Sequence, residues 1–377
     1  MISYYDLGPE KRICDIVFAG AHDASITSGA INVQTQYKGR LIDQMRAGVR
    51  VFDLRMLVRK LPEGAFTVVG YHGERKDGSH TSLNYKGTDK RFPDIVTSKM
   101  SKWGGGFGER LENILNDAVE FLSKEATNEF LLLKFDKCTN YALIAEQCRH
   151  ILGNLIYTVN GPKEFSQNTL DDLKGKAVCV FNDKAMAELS SLGYSPGNGI
   201  LGFKNLNNDG NADQYDTKYP GLQYIGKGGT VATKVLKDAK GKMKENFETQ
   251  AALMHILASI ESPSAGNALG MMYWTTTGLR ESIKTRDKTL WGKTGIQNME
   301  LLWNSALNEA IGTQIQNNRA EFVKYKKGRQ IKAFFPNIIM IDFAKEERCK
   351  TIYALNTVAE GFLIDAVDAW EAQHGDS

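Results

Sequence analysis

Apolar runs and amphipathic stretches alternate along most of the chain. Continuous apolar runs such as "FLLL" (130–133) and "IIMI" (338–341) are typical of parallel strands that are covered on both faces. Between such runs, "ERLENILNDAVEFLSKEA" (109–126) repeats its apolar residues at the spacing of a helix. This alternation of strands and helices favours a single α/β barrel.

The boundaries of the predicted elements follow from the same pattern. Strands are expected over 14–20, 49–58, 65–73, 129–135, 176–183, 267–278 and 335–344. Helices are expected over 37–48, 109–126, 141–156, 245–262, 298–325 and 350–370. We expect one domain over 1–377, with a functional or mobile loop near 73–106 and a Gly-, Asn- and Lys-rich surface insertion near 184–243.

Composition narrows the setting of the protein only a little. The chain has 377 residues and a net charge of +3, which does not argue for nucleic acid but is compatible with an anionic membrane surface. No apolar stretch reaches the ~20 residues of a membrane span. The N-terminus lacks a signal-peptide pattern, so we expect a soluble protein, cytoplasmic or secreted by a signal-independent route. The five scattered cysteines are expected to be reduced packing residues.

Polar residues capable of acid–base chemistry come at the ends of the predicted strands. They are His22 and Asp23 after the first strand, Asp53 and Arg55 on the second, His72 on the third, Lys134 and Asp136 on the fourth, and Asp342 on the last. In an α/β barrel the carboxyl ends of the strands meet at one rim. Two imidazoles, several carboxylates and a guanidinium at one rim indicate cleavage of a phosphate ester, because His titrates near neutral pH and Arg binds phosphate.

The segments "IVFAGAHDAS", "QMRAGVRVFDLR" and "VVGYHG" resemble the X-domain of phosphatidylinositol-specific phospholipase C. The resemblance implies a TIM-like (β/α)8 barrel that is imperfectly closed. It implies His22 as general base oriented by Asp342, and His72 as general acid supported by Asp23. Arg55 would bind the phosphate. Because the family's metal-independent bacterial branch carries Arg at this position, the resemblance implies no metal and no cofactor.

Two departures from the bacterial pattern affect the head-group pocket. Asp136 stands where bacterial enzymes carry Lys, so Lys134, two residues earlier, either supplies that charge or pairs with Asp136. Asn182 stands where they carry Arg. The predicted substrate is therefore an inositol phospholipid or a glycosylated relative.

Other candidate residues have a structural reading beside the functional one. Asp53 is either a substrate contact or a structural partner of Arg55. Tyr273 and Trp274 either pack in the core or offer a flat surface to a sugar ring.

Two further functions stay open on the same fold. One is a metal-dependent glycerophosphodiester or sphingomyelin phosphodiesterase, with calcium or magnesium on the oxygens of Asp23, Asp53 and Asp136. The other is a catalytically inert barrel that binds lipid head groups or glycans. In the main reading the partners are a phospholipid head group and a membrane surface, with no nucleic acid, and the protein is a peripheral monomer.

Overall fold

Eight parallel strands close into a barrel in the computed structural model, as the alternating pattern predicts. The structure describes residues 1–28, 33–60, 65–72, 106–206, 215–226, 268–275, 284, 287–288, 291 and 336–356. Within these residues the barrel strands pair in one complete ring, in which the first strand of the chain pairs with both the second and the last. The resemblance implies an imperfectly closed barrel, whereas this pairing runs around the full ring.

The barrel strands and the helices between them have the following bounds. The strands are β1 Phe18–Ala21, β2 Val49–Leu54, β6 Phe130–Phe135, β7 Lys176–Asn182, β8 Ile200–Asn205, β9 Leu222–Gly226, β10 Leu269–Trp274 and β11 Ile338–Ile341. Their order around the barrel is β1-β11-β10-β9-β8-β7-β6-β2. The helices are α1 Leu41–Ala47, α2 Leu111–Glu120, α3 Tyr141–Leu152 and α4 Asp183–Ser191, and residues 346–356 are helical as well. Helix α1 ends at Gly48, whose φ of 113° favours glycine, as its sequence predicts.

A separate antiparallel sheet of three strands lies beside the barrel. It contains β3 Met56–Lys60, β4 Phe66–His72 and β5 Gly106–Arg110 in the order β3-β4-β5. The predicted strand over 49–58 is therefore two strands in two sheets, interrupted at Arg55. The strand that carries His72 is not a barrel strand, contrary to the expectation that all the strand-end residues share the barrel rim.

The expected surface insertion near 184–243 is wrong in its described part. Two barrel strands, β8 and β9, lie within it. Strands β8 and β9 are short, and polar turn residues rich in Gly, Asn and Lys flank them. The sequence pattern of a strand is therefore hard to recognise in this segment. The predicted helices over 245–262 and 298–325, and the predicted loop up to residue 105, lie outside the described residues.

The interior of the barrel is filled with side chains and leaves no room for a side chain on β1 at Gly20. A Cβ atom built there would lie 2.2 Å from the sulfur of Met340 on β11. Gly20 therefore permits close packing directly beneath the rim.

All five cysteines are free thiols, of which four are buried and Cys138 is half-buried, consistent with packing residues.

Arg50, which belongs to the stretch that carries the family resemblance, has a structural role. Its side chain is fully buried, and its Nε lies 2.7 Å from Glu129 Oε2. Its two terminal nitrogens donate to the carbonyl oxygens of Met45, Val49 and Ile2. These bonds tie the N-terminal segment and helix α1 to the barrel.

None of the described helices combines the length and apolar character that crossing a membrane requires.

Candidate active site

The carboxyl ends of the barrel strands carry most of the predicted residues into one cluster. Side chains alternate between the inside and the outside of a barrel strand. Asp53 on β2 is paired in register with Lys134 on β6. His22 follows Gly20 by two residues and Asp342 follows Met340 by two residues, so both continue the inward series.

His22 lies between two carboxylates. Its Nδ1 donates to Asp342 Oδ1 at 3.0 Å, and its Nε2 lies 3.5 Å from Asp23 Oδ2. Burial alone would lower the pKa of His22, but Asp23 and the hydrogen bond to Asp342 outweigh it and raise the pKa to about 9. The imidazole is therefore protonated at neutral pH.

Asp23 is the centre of the cluster. Its side chain is fully buried, its φ is 41°, and its Oδ1 lies 2.8 Å from Nε of Arg55. Its Oδ2 is 3.6 Å from Nε2 of His72. Burial disfavours the charged carboxylate, but Arg55 and the two imidazoles outweigh this and lower the pKa of Asp23 to about 2. Asp23 therefore stays ionised, and its carboxylate faces the guanidinium of Arg55 and the imidazoles of His22 and His72.

The three-stranded sheet brings His72 to the barrel. Gly70 on β4 lies so close to the loop after β1 that a Cβ atom would be 2.2 Å from Oγ of Ser25. The backbone N–H of Tyr71 donates to the carbonyl of Arg55 at 2.9 Å, and the Tyr71 hydroxyl donates to the carbonyl of Lys137. His72 therefore stands next to Arg55 and faces Asp23 although its strand is outside the barrel.

Lys134 is a buried cation inside the barrel mouth. Its Nζ lies 3.0 Å from Asp53 Oδ1 and 3.6 Å from Asp136 Oδ2, and it stands 4.6 Å from the ring centre of Phe203. Burial would lower the pKa of Lys134, but Asp53 raises it well above its usual value. Lys134 therefore forms the internal ion pair with Asp136 that was one of the two alternatives for this residue. Asp53 pairs with Lys134 rather than with Arg55.

Asn182 caps helix α4. Its side-chain oxygen accepts from the backbone N–H of Ala185 at 2.8 Å, while its Nδ2 donates to the Tyr141 hydroxyl at 2.7 Å and to Asp136 Oδ1 at 3.3 Å. Asn182 therefore lies next to the cluster, but both ends of its amide are already engaged.

Tyr273 and Trp274 do not form one common surface. The Tyr273 ring meets the His22 ring edge-on, with 5.8 Å between the centres. The next residue points to the other side of β10, where Trp274 is buried and packs edge-on against Trp291 at 6.5 Å. Only Tyr273 therefore belongs to the cluster, whereas Trp274 follows the core-packing alternative.

Sequence reasoning missed several residues that shape this cluster. Gln36 donates to the carbonyls of His22 and Ile341. Phe203 covers Lys134, and Arg348 binds the backbone at Asp342. Gln36 lies in a polar stretch without periodicity, and Phe203 lies in the presumed insertion, so no pattern indicated them.

The arrangement provides the groups that general acid–base chemistry on a phosphate ester needs. Two imidazoles and a guanidinium converge on one buried carboxylate, at the mouth of a barrel. A phosphate that replaced Asp23 as the partner of Arg55 would sit within reach of both imidazoles. Such positioned groups accelerate proton transfer by roughly 10²–10⁴-fold.

Comparison with known proteins gives only distant similarities. The sequence matches no protein-family model and no curated protein. A phosphatidylinositol-specific phospholipase C from Listeria monocytogenes is similar in structure, with a TM-score of 0.45 and 14% identity over 93% of this chain and 95% of that one. A Ca²⁺-dependent enzyme of the same description from Streptomyces antibioticus has a TM-score of 0.41 and 10% identity, covering 93% and 97%. A calcium-dependent phosphoinositol-specific phospholipase C from Pseudomonas sp. has a TM-score of 0.35 and 16% identity, covering 58% and 78%.

The prediction of a site without a metal or cofactor is wrong. In this chain His22, Asp23 and Asp53 offer ligand atoms that all lie within 4.8 Å of one another. Asp136, the third ligand of the predicted alternative, is not in this set. Because Arg55 and Lys134 already pair with the two carboxylates, an incoming metal ion would have to displace these cations.

Proposed function

We propose that the chain is a phospholipase C-type phosphodiesterase that cleaves an inositol phospholipid or a glycosylated relative. One observation carries this proposal: His22, His72 and Arg55 all face the carboxylate of Asp23, at 3.5, 3.6 and 2.8 Å. Two imidazoles around a guanidinium suit a reaction in which one proton is removed and another is delivered beside a phosphate.

In the proposed reaction His22 is the general base. It accepts the proton of the ring hydroxyl next to the phosphate, and Asp342 holds its Nδ1 and stabilises the imidazolium that forms. Because its pKa is raised to about 9, His22 must lose a proton before each turnover. The hydroxyl oxygen then attacks phosphorus, which gives a cyclic phosphate.

His72 is the proposed general acid, and Arg55 is the proposed phosphate ligand. His72 would protonate the leaving oxygen of diacylglycerol. The guanidinium would pair with the phosphate oxygens as negative charge builds up on them. Asp23 would keep both groups charged and aligned until the substrate arrives.

The buried cation Lys134 and the ring of Tyr273 are the proposed walls of the head-group pocket. Asp53 and Asp136 would accept hydrogen bonds from ring hydroxyls on the outer side of Lys134. We also propose that the protein acts as a monomer, as a peripheral enzyme at a phospholipid surface.

The test is release of the head group from lipid vesicles. Vesicles of phosphatidylcholine with or without phosphatidylinositol are incubated with the protein, and water-soluble inositol phosphates are followed by ³¹P NMR. A cyclic inositol phosphate that appears only with phosphatidylinositol supports the proposal. Absence of any soluble phosphate from vesicles of phosphatidylinositol and from vesicles of a glycosylated phosphatidylinositol, with or without added divalent cations, contradicts it.

A metal-assisted phosphodiesterase is the second candidate, because the His22, Asp23 and Asp53 ligand set favours it. A bound divalent cation would add positive charge beside the phosphate. The same assay in EDTA, and after addition of Ca²⁺ or Mg²⁺, separates the two. Activity lost in EDTA and restored by one ion supports the metal-assisted reaction.

A further inference from the structure

Gln36 joins the two strand ends that carry His22 and Asp342. Its side chain is fully buried. Nε2 donates to the carbonyl of His22 at 2.8 Å and to the carbonyl of Ile341 at 3.1 Å. Oε1 accepts from the backbone N–H of Ala344 at 3.0 Å. One amide therefore bonds to the backbone of His22 and to backbone groups before and after Asp342.

The turn that carries Asp342 needs such support. Phe343, the next residue, has a φ of 47°, which a residue with a side chain rarely adopts. Its N–H donates to the carbonyl of Thr35 at 2.7 Å, and the guanidinium of Arg348 donates to the carbonyls of Asp342 and Phe343. The direction of the Asp342 side chain thus depends on contacts from outside its own strand.

We propose that Gln36 is a positioning residue that sets the contact between His22 Nδ1 and Asp342 Oδ1. This inference rests on the proposed function for its kinetic consequence, but the geometry it describes is independent of substrate. The two donated bonds of Gln36 end on the backbone of His22 and of Ile341, the residue before Asp342, and the third bond comes from Ala344, two residues after Asp342. Without the amide, the backbone bond from the N–H of His22 to the carbonyl of Ile341 at 3.0 Å remains, but the carbonyl of His22 and the N–H of Ala344 lose their partner, so the residues that carry the two side chains can shift. A displacement near 1 Å at a reacting group costs about 100-fold in rate.

A matched control lies directly before β11, at the end of that strand opposite to Asp342. Asn337, also buried, donates through Nδ2 to the carbonyls of Cys14 and Ile16 and accepts from the N–H of Gly270. Its amide thus makes the same kinds of hydrogen bond as Gln36, but at the start of β11, away from the cluster. A purely structural effect should be similar in the two places.

The experiment compares Gln36→Met with Asn337→Leu. We expect kcat on phosphatidylinositol to fall about 100-fold in Gln36→Met with KM little changed, and to stay near wild type in Asn337→Leu. Added to Asp342→Asn, the Gln36→Met change should cost little more, because the contact it positions is already lost. Equal losses in the two single variants, or fully additive losses in the double variant, overturn the inference.

A spectroscopic readout tests the geometry without turnover. The Nδ1 proton of His22 should give a far-downfield ¹H NMR resonance, identified by its absence in His22→Gln. We expect this resonance to be lost or shifted in Gln36→Met and retained in Asn337→Leu; retention in both contradicts the inference. Should Gln36→Met not fold, Gln36→Glu removes the donors and keeps the acceptor for Ala344, and the same results are expected. A wild type without lipid activity would contradict the proposed function only, since the resonance still tests this inference.

Discussion

His22 and His72 point their Nε2 atoms at the same carboxylate oxygen, Asp23 Oδ2, at distances of 3.5 and 3.6 Å. The first imidazole comes from a barrel strand and the second from an antiparallel strand outside the barrel. This shared oxygen places two proton-transfer groups around one point at the barrel mouth.

Replacement of His72 by Gln should abolish most of the activity. The side chain is the proposed acid for the leaving oxygen, and loss of such a group costs roughly 10²–10⁴-fold. The measurement is head-group release from phosphatidylinositol vesicles, with circular dichroism to verify the fold. His150→Gln, on the exposed face of α3, is the control and should retain full activity. Turnover by His72→Gln close to wild type would remove His72 from the mechanism.

Arg55→Met should lower kcat/KM by about 10²–10³-fold, the usual cost of removing one donor to an oxyanion. Arg55 pairs at 2.8 Å with Asp23, the carboxylate that also faces both imidazoles. Arg46→Met is the control, since Arg46 is an exposed arginine on α1 paired with Glu125. If the two variants behave alike, Arg55 does not bind the phosphate.

The pH dependence of kcat/KM should follow the ionisation of His22. A general base acts in its neutral form, and the pKa of this imidazole is raised to about 9. kcat/KM, which reports the free enzyme, should therefore have an ascending limb that follows loss of the His22 proton and a descending limb that follows loss of the His72 proton. Asp342→Asn removes one carboxylate that raises the pKa of His22, so its ascending limb should move to lower pH. An ascending limb that stays in place in Asp342→Asn would contradict the role of His22 as the base.

Arg50→Met should destabilise the protein without acting on the chemistry. The change leaves Glu129 buried without the guanidinium 2.7 Å away. Breaking such a buried pair costs about 3–5 kcal/mol. Urea unfolding should show this loss, whereas kcat measured well below the transition should stay near the wild-type value. Arg50→Met combined with Glu129→Leu should regain part of the stability. If Arg50→Met alone is as stable as the wild type, the prediction is contradicted.

The sequence by itself determined the class of the fold and the identity of most candidate residues. Continuous apolar runs such as "FLLL" (130–133) are typical of strands that are covered on both faces, so they favour a parallel sheet with helices around it. Polar residues directly after such runs must lie at the carboxyl rim. His22, Asp53, Lys134 and Asp342 were therefore predictable as neighbours.

Only the tertiary structure decided which of these groups meet. The chain turns at Arg55 from the barrel into a second sheet, and this turn brings His72 to Asp23. It also decided that Asp53 pairs with Lys134, that Asn182 caps a helix and that Gln36 joins two strand ends. The physical reason is that apolar periodicity records local burial, one segment at a time. Ion pairs and buried amides instead depend on distances between segments far apart in the chain, which periodicity does not contain.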